Sequence, residues 1–403
     1  MVRRNGGFIG TDGLDAPDPP TGVTGSVGNE SVSVAFTAPT DTGTSAITGF
    51  VATTDAGDGA TGSSSPITIS SLTNGTAYTT RVYAINAFGT SAASEASASF
   101  TPVNTRAAFG GGARASAARS NIIDYIDIGT TGNAQDFGDL TVAREFMASG
   151  VSSGTRGIFM PGKEGSENTL DYITIASTGN ATDFGDVSVA RITMGGHSSP
   201  TRGVMGGGRP TGADEVNVID YVTLANTGNA SDFGDLVVAR RSLDACGSST
   251  RALFCGGTGD GATGNEIDYI TIASIGNGTD FGNLLTIGQA LNYKLSALSN
   301  STRGIIGGGA GNSARNDIQY VTIASTGNSA DFGDLLEVNH DLAAVASPTR
   351  GVFAGGGDAD GTRPINRIQY ITIATLGNAQ DFGDLTTTAD RMGGISGSHG
   401  GLA

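Results

Sequence analysis

The segment TLDYITIASTGNATDFGD, residues 169–186, occurs in six variants along the chain, and their spacing sets the architecture to expect. The tripeptide Asp-Phe-Gly begins at Asp136, Asp183, Asp232, Asp280, Asp331 and Asp381, at intervals of 47, 49, 48, 51 and 50 residues. A tyrosine stands 11 residues before each aspartate, at Tyr125, Tyr172, Tyr221, Tyr269, Tyr320 and Tyr370. A Thr-Arg pair recurs too, ending at Arg106, Arg156, Arg202, Arg251, Arg303 and Arg350, and in most repeats an apolar run and Gly-Gly follow it. Such self-similarity marks an array of one supersecondary unit.

Each unit reads as a strand (TRGVFAGG), a Gly-rich loop, a second strand (IDYITIAS), a turn (TGNATDFGD), a short LTVAR strand and a Ser/Gly-flanked strand leading to the next Thr-Arg. Four short strands in such a length make one propeller blade. A single blade cannot bury both its faces, so neighbours must stack. The chain ends in ADRMGGISGSHGGLA, which supplies only the strand that precedes a Thr-Arg. That leftover strand is expected to complete the first blade, closing a six-bladed β-propeller over residues 104–403.

Residues 17–103 read differently. PDPPTGVTGSVGNESVSVAFTAP opens with prolines that block helix and then alternates Val27, Val32, Val34 and Phe36 as a half-buried strand does. Further strands are expected at 47–53, 67–69, 78–86 and 96–101, the spacing of a β-sandwich. The Pro-rich entry, SVSVAFTAP, SLTNGTAYTTRVYAINAFGTS and the closing FTP resemble the fibronectin type III family in its bacterial and phage-type members. The resemblance implies that Leu72 is a core residue and that Tyr78 pins the corner of the sandwich. Phe36 stands where the family usually has Trp. Such domains are commonly spacers or adhesive modules, so the likeness speaks to fold rather than function.

Composition narrows the function. The chain has 65 Gly and no Trp, and its net charge is −16, with 19 Lys/Arg against 30 Asp/Glu after residue 103. Neither region is basic, which disfavours nucleic-acid binding through phosphate neutralisation. Cys246 and Cys255 are too few for a disulfide framework and read as two half-buried thiols that could face each other across one hairpin. MVRRNGGFIG has no apolar core long enough for a signal peptide, and no run approaches a membrane span, so no membrane insertion is expected.

Within residues 104–403, the Gly-Gly, the Tyr of the next strand and the later Ala-Arg resemble the kelch repeat. Departures are the missing Trp, whose place the Asp-Phe-Gly phenylalanine takes, and the Arg itself, present as Arg144, Arg191 and Arg240 but replaced by Gly288, Asn339 and Ala389 later. Tyr-to-Asp spacing is constant, whereas Thr-Arg-to-Tyr spacing varies from 16 to 20 residues, so length varies in the loop after Gly-Gly. In kelch propellers the corresponding loops line one rim and often bind the partner. The rim expected here carries Arg114 and Arg119, Lys163 and Glu164, Arg209 and Asp214, Asp260, Arg315, and Asp358, Arg363 and Arg367.

Catalytic and metal signals are weak. Asp-Phe-Gly also marks a kinase magnesium site, but six copies in a β context indicate a repeated turn in which Asp and Asn cap backbone donors. GDGATG at 259–264 lacks the helix a dinucleotide loop needs. The histidines His197, His340 and His399 lack metal-ligand spacing and read as scattered positions. Asp358-Ala359-Asp360-Gly361 begins like a calcium loop without the downstream Glu. No paired acid and base or activated nucleophile emerges, so neither an enzyme nor a cofactor is expected.

The near-identical Gly/Ser/Thr/Asn-rich repeats resemble kelch-like virion proteins of marine phages. The resemblance implies a virion component, a tail fibre, appendage or capsid-surface protein within an oligomeric assembly. It would present its propeller to a host-surface glycan or protein or to neighbouring subunits. Residues 1–16, with Arg3, Arg4, Phe8 and Ile9, would be a docking arm to other virion proteins. A bacterial extracellular adhesin or carbohydrate-binding protein is the alternative.

Overall fold

The computed structural model describes residues 15–114, 119–146, 149–163, 168–285, 292–311, 313–357 and 364–402. The chain is all-β and divides into two compact units, one ending at Asn104 and the other beginning at Thr105.

The first unit has two antiparallel sheets. One joins Thr21–Gly28, Ser31–Thr37 and Ile67–Ser70, and the other joins Gly59–Gly62, Ile47–Thr54, Thr80–Asn86 and Gly89–Thr90. Alternation sends Val32, Val34 and Phe36 inward onto Phe50, Ile67, Ile69, Leu72 and Val82. Val27 is instead 40% exposed, so the inward run begins one strand later than its alternation implies. Tyr78 is buried, and its hydroxyl accepts a hydrogen bond from the Thr73 amide at 3.1 Å, fixing the corner between the sheets. The expected strand at 96–101 does not form; only Phe100 bridges to Tyr78. Serines every third residue explain why. The hydroxyls of Ser91, Ser94 and Ser97 accept from the amides of Ala84, Val82 and Thr80, while the serine amides donate to the carbonyls of the same three residues. A three-residue period satisfies this edge without a two-residue strand ladder.

Among its described residues the second unit has six four-stranded antiparallel sheets. In the third, the order is Gly195–Ser198, Arg202–Gly206, Val218–Thr223 and Ser231–Asp235, from a fully buried strand to one whose first two residues are exposed. In the first sheet the buried position is filled by Gly393–Ser396, which pairs with Arg106–Gly110 in the register Gly393 to Gly110. The innermost strands touch one another in succession, and Gly393–Ser396 touches both Ala343–Ala346 and Val151–Ser152. Their composition follows from that crowding. GGHS, DACG, SALS, AAVA and GGIS are mostly Gly, Ala, Ser and Cys, and the hydroxyls of Ser198 and Ser299 hold neighbouring strands by accepting from Ser152 N and Gly247 N. Cys246 and Cys255 lie on adjacent strands as free, buried thiols. They sit diagonally rather than opposite, since Cys246 faces Leu253 and Asp244 faces Cys255.

Apolar clusters occupy the spaces between consecutive sheets. The cluster holding Ile126 and Phe109 of the first sheet also holds Val352 and Phe382 of the sixth. Each buried Asp-Phe-Gly phenylalanine meets its tyrosine edge to face, with centroids 5.9–6.2 Å apart. Above each tyrosine ring, at 4.4–4.6 Å, lies the Thr-Arg guanidinium. That guanidinium also donates to a carbonyl one sheet onward: Arg156 to Leu224, Arg202 to Ile272, Arg251 to Ile323, Arg303 to Ile373, and Arg350 back to Ile128. The arginine thus joins cation–π attraction to a hydrogen bond between sheets.

Asp-Phe-Gly is not a turn. It lies in the outermost strand, as in Thr182–Asp186, where a register shift opposite the preceding strand marks a bulge. Its aspartate is exposed, and the capping falls to the Asn of the TGN turn, whose carbonyl oxygen accepts an amide from the preceding sheet, as Asn180 does from Asp139 and Asn133 from Asp384. The glycine serves close approach. At Gly234, with φ +146°, a Cβ would lie 2.5 Å from the carbonyl oxygen of Gly276 in the next turn. Gly234→Ala is therefore expected to cost at least about 1–3 kcal/mol from the backbone conformation alone. An unchanged urea midpoint would show that the turn yields freely.

Candidate functional site

One residue just ahead of each innermost strand adopts the same unusual backbone conformation. Phe146, Thr193, Ser242, Lys294, Asp341 and Arg391 all have φ between 54° and 60°, a left-handed geometry that non-glycine residues adopt at a cost. A chain of hydrogen bonds holds them there: Thr193 N to Phe146 O, Ser242 N to Thr193 O, Lys294 N to Ser242 O, Asp341 N to Lys294 O and Arg391 N to Asp341 O. All six residues border one small cavity of about 30 Å³. Six repeats thus deliver six different side chains to one place.

Beside it opens a larger cavity of about 310 Å³, lined by Phe146, Lys163, Ile192, Thr193, Arg209, Pro210, Thr211, Gly212, Arg241, Ser242, Lys294 and Asp341. Four of these side chains are cationic and one is anionic, in a chain of net charge −16. Lys294 pairs with Asp341 at 3.0 Å, and Arg241 pairs with Glu215 at 2.7 Å. Arg209 donates from Nε to the Ala213 carbonyl at 2.7 Å, and the Lys163 ammonium lies 5.9 Å from the centre of the Phe146 ring. The nearer ring contact on Phe146, at 4.5 Å, is the Arg391 guanidinium.

Acidic groups gather around Arg391, which contacts Glu145 at 2.9 Å and lies 3.8 Å from both Asp341 and Asp390. Burial alone would raise the Asp341 carboxyl, but the His340 hydrogen bond and the Lys294 charge hold it below its ordinary value. Asp390, where burial outweighs Arg391, is pushed up to about 6. Among the described residues no three His, Cys, Asp or Glu side chains are placed to hold a metal.

The structure sorts the rim residues expected from the loops. Lys163 and Arg209 line the cavity. Asp214 and Asp260 are exposed. Arg119 lies 3.5 Å from Glu145, Arg315 donates to the Asn292 side chain, and Arg367 pairs with Glu337 at 2.8 Å. Arg3, Arg4, Phe8, Ile9, Glu164, Asp358 and Arg363 lie outside the described residues. Arg114 is a correction: it is buried, with its guanidinium 3.4 Å from the fully buried Asp124. It answers a structural need, because Asp124 lies where Asp171, Asp220 and Asp268 meet Arg144, Arg191 and Arg240 at 2.8–2.9 Å, and Ala389 replaces the arginine that would serve the first sheet. Two of the three histidines come together. His197 and His399 are brought to 5.4 Å, ring to ring, and His340 contacts Asp341 at 3.0 Å.

Sequence reading missed Arg241 and Lys294 and the whole left-handed set. The signal was spacing. Phe146, Thr193, Ser242, Asp341 and Arg391 each follow the aspartate of their Asp-Phe-Gly by ten residues, and Lys294 follows Asp280 by 14.

Residues 18–100 match the fibronectin type III domain, the sandwich of the first unit. No curated protein matches the chain. No described helix is long and apolar enough to cross a membrane.

Proposed function

We propose that the second unit is a closed six-bladed, kelch-like β-propeller, and that the chain is a non-enzymatic bacteriophage virion protein, a tail fibre, appendage or capsid-surface component. Closure is supported by the return of Gly393–Ser396 to the first sheet and by three links from the sixth sheet to the first: the shared apolar cluster, the Arg350 bond to Ile128 and the Asn133 bond to Asp384. The binding role is carried by one observation, the cation-lined cavity built from two lysines and two arginines of several sheets. A recessed site of this size with convergent charged and hydroxyl groups is where a small polar ligand can bind. The virion setting is supported by the likeness of the repeats to phage particle proteins. In that setting the fibronectin domain serves as a spacer, and residues 1–16 attach the chain to other virion proteins.

Mass spectrometry of purified particles of the encoding phage is expected to find this chain at a fixed ratio to the capsid protein. Particles that lack it would overturn the virion reading.

A further inference from the structure

We infer that the 310 Å³ cavity binds an acidic sugar residue, a pyranose carrying a carboxylate or sulfate, as the terminal or branching unit of a surface glycan. The inference rests on reading the chain as a binding protein, though not on its place in a particle.

Charge is the first argument. Lys163, Arg209, Arg241 and Lys294 approach one cavity from four consecutive sheets, although acids outnumber bases across the unit. Two of the four, Arg241 and Lys294, are matched by Glu215 and Asp341, while neither Lys163 nor Arg209 forms an ion pair with a described carboxylate. Their backbones are fixed: Lys163 N donates to Glu145 O, Arg209 and Ile192 exchange both amide hydrogen bonds, and Arg241 exchanges both with Thr258. Arg209 acts on Glu215 only at longer range, and a preorganised pair of cations with no contact ion pair to a described carboxylate is a site for an anion, its ordering already met in folding.

The remaining lining selects the kind of anion. The volume exceeds what a bare inorganic anion needs, and at about 300 Å³ it meets the lower bound for small-molecule sites. Thr193, Thr211 and Ser242 supply hydroxyls, Asp341 supplies an acceptor, and Ile192 and Pro210 supply an apolar wall. That mixture fits a ring with hydroxyl donors on its edge and C–H groups on its face. A polyphosphate offers neither hydroxyl donors for Asp341 nor C–H groups for Ile192 and Pro210. A nucleobase would need an open aromatic face, and the Phe146 ring already carries Arg391 at 4.5 Å and Lys163 at 5.9 Å.

The test is titration calorimetry on the purified full chain with four probes: sialyllactose, a hexuronate oligosaccharide, a sulfated oligosaccharide and neutral lactose. A Glu-rich peptide and sodium sulfate are added as competitors. The expected result is binding of at least one acidic saccharide at least about tenfold tighter than lactose, weakened by salt. Which probe binds separates carboxylate from sulfate recognition. Lys163→Met and Arg209→Met should each weaken it by about tenfold or more, the loss typical of one charged hydrogen bond. Arg367→Met, which is outside the cavity, should leave binding unchanged. Melting temperatures equal to the parent would show that the variants fold, and Lys163→Glu serves if Lys163→Met does not. Four outcomes would overturn the inference: no binding to any saccharide, equal binding to lactose, binding insensitive to Lys163 and Arg209, or equal affinity for the peptide. None depends on whether the chain is found in particles.

Discussion

Arg191→Ala is expected to lower the unfolding free energy by about 3–5 kcal/mol, the cost of leaving one member of a buried ion pair without its partner. Arg191 and Asp220 are both inaccessible to solvent and meet at 2.9 Å, and the arginine also donates from Nε to the Gly207 carbonyl. Burial lowers the Arg191 pKa, with Asp220 opposing that shift, so the aspartate is what keeps the cation tolerable there. Removing the guanidinium strands a carboxylate that otherwise receives only the Ser188 amide and hydroxyl. The loss should appear in urea unfolding of the full chain as a lower midpoint at unchanged slope. The junction of the fifth and sixth sheets supplies the rescue. There Asn339 replaces the arginine and Gln369 the aspartate. Asn339 donates to the Gly355 carbonyl as Arg191 does to Gly207, and Gln369 accepts the Leu336 amide. Arg191→Asn combined with Asp220→Gln should therefore recover most of the stability. A remaining deficit of about 1–3 kcal/mol is expected, because Asn339 Oδ1 and Gln369 Nε2 lack partners where they occur naturally. A double variant no more stable than Arg191→Ala would show that the two solutions are not interchangeable.

That substitution pattern also shows what sequence could and could not convey. Strand number per repeat, the six-fold count and the destination of the last strand were legible because periodicity records them directly. The arginine lost at Ala389 was visible, but its consequence was not, since Arg114 enters from a variable loop and looks like a surface charge until Asp124 is seen beneath it. Asp-Phe-Gly was misread as a turn because its Asp, with the nearby Asn, was credited with capping backbone donors. The actual constraint, on its glycine, is a carbonyl in the next sheet, some 40 to 50 residues away, and no local pattern encodes such a distance. The Thr-Arg motif hid its role similarly: its partner is a backbone carbonyl about 70 residues onward, which any residue type can supply. In the left-handed set the position is constant but the chemistry is not. Phe, Thr, Ser, Lys, Asp and Arg share only a backbone conformation, so the repeats bring six unlike side chains to the border of one cavity.

Two buried groups should give this protein a pH–stability profile flatter than either would alone. His197 is held down to about 3 by burial and then by the neighbouring His399, against the hydrogen bond to the Ser248 carbonyl. In the unfolded chain it titrates near 6.5. Its contribution to stability is thus present above about 6.5 and is lost as pH falls toward 3, where the unfolded chain takes up a proton that the native state refuses. Asp244 behaves oppositely. Burial pushes it up to about 7 despite hydrogen bonds from the Ala297 and Ala245 amides and the Ser149 hydroxyl. Its contribution is present below about 4, its unfolded value, and is lost as pH rises through 7. Between about 4 and 6.5 the two slopes are equal and opposite, since the unfolded chain gains one proton at the histidine while the native state keeps one at the aspartate. His197→Gln should unmask the aspartate, giving a stability that falls with rising pH across that window relative to the parent. Asp244→Asn should unmask the histidine and give the reverse. Each divergence should amount to a few kcal/mol across the window, set by 1.36 kcal/mol per pKa unit and reduced by whatever relaxation burial permits. Both substitutions also remove hydrogen bonds, which moves a curve bodily without tilting it, so the slope is the quantity to read. Urea midpoints at half-unit steps from pH 4 to 8 would decide the matter, and curves parallel to the parent would mean that neither group changes its proton affinity on folding.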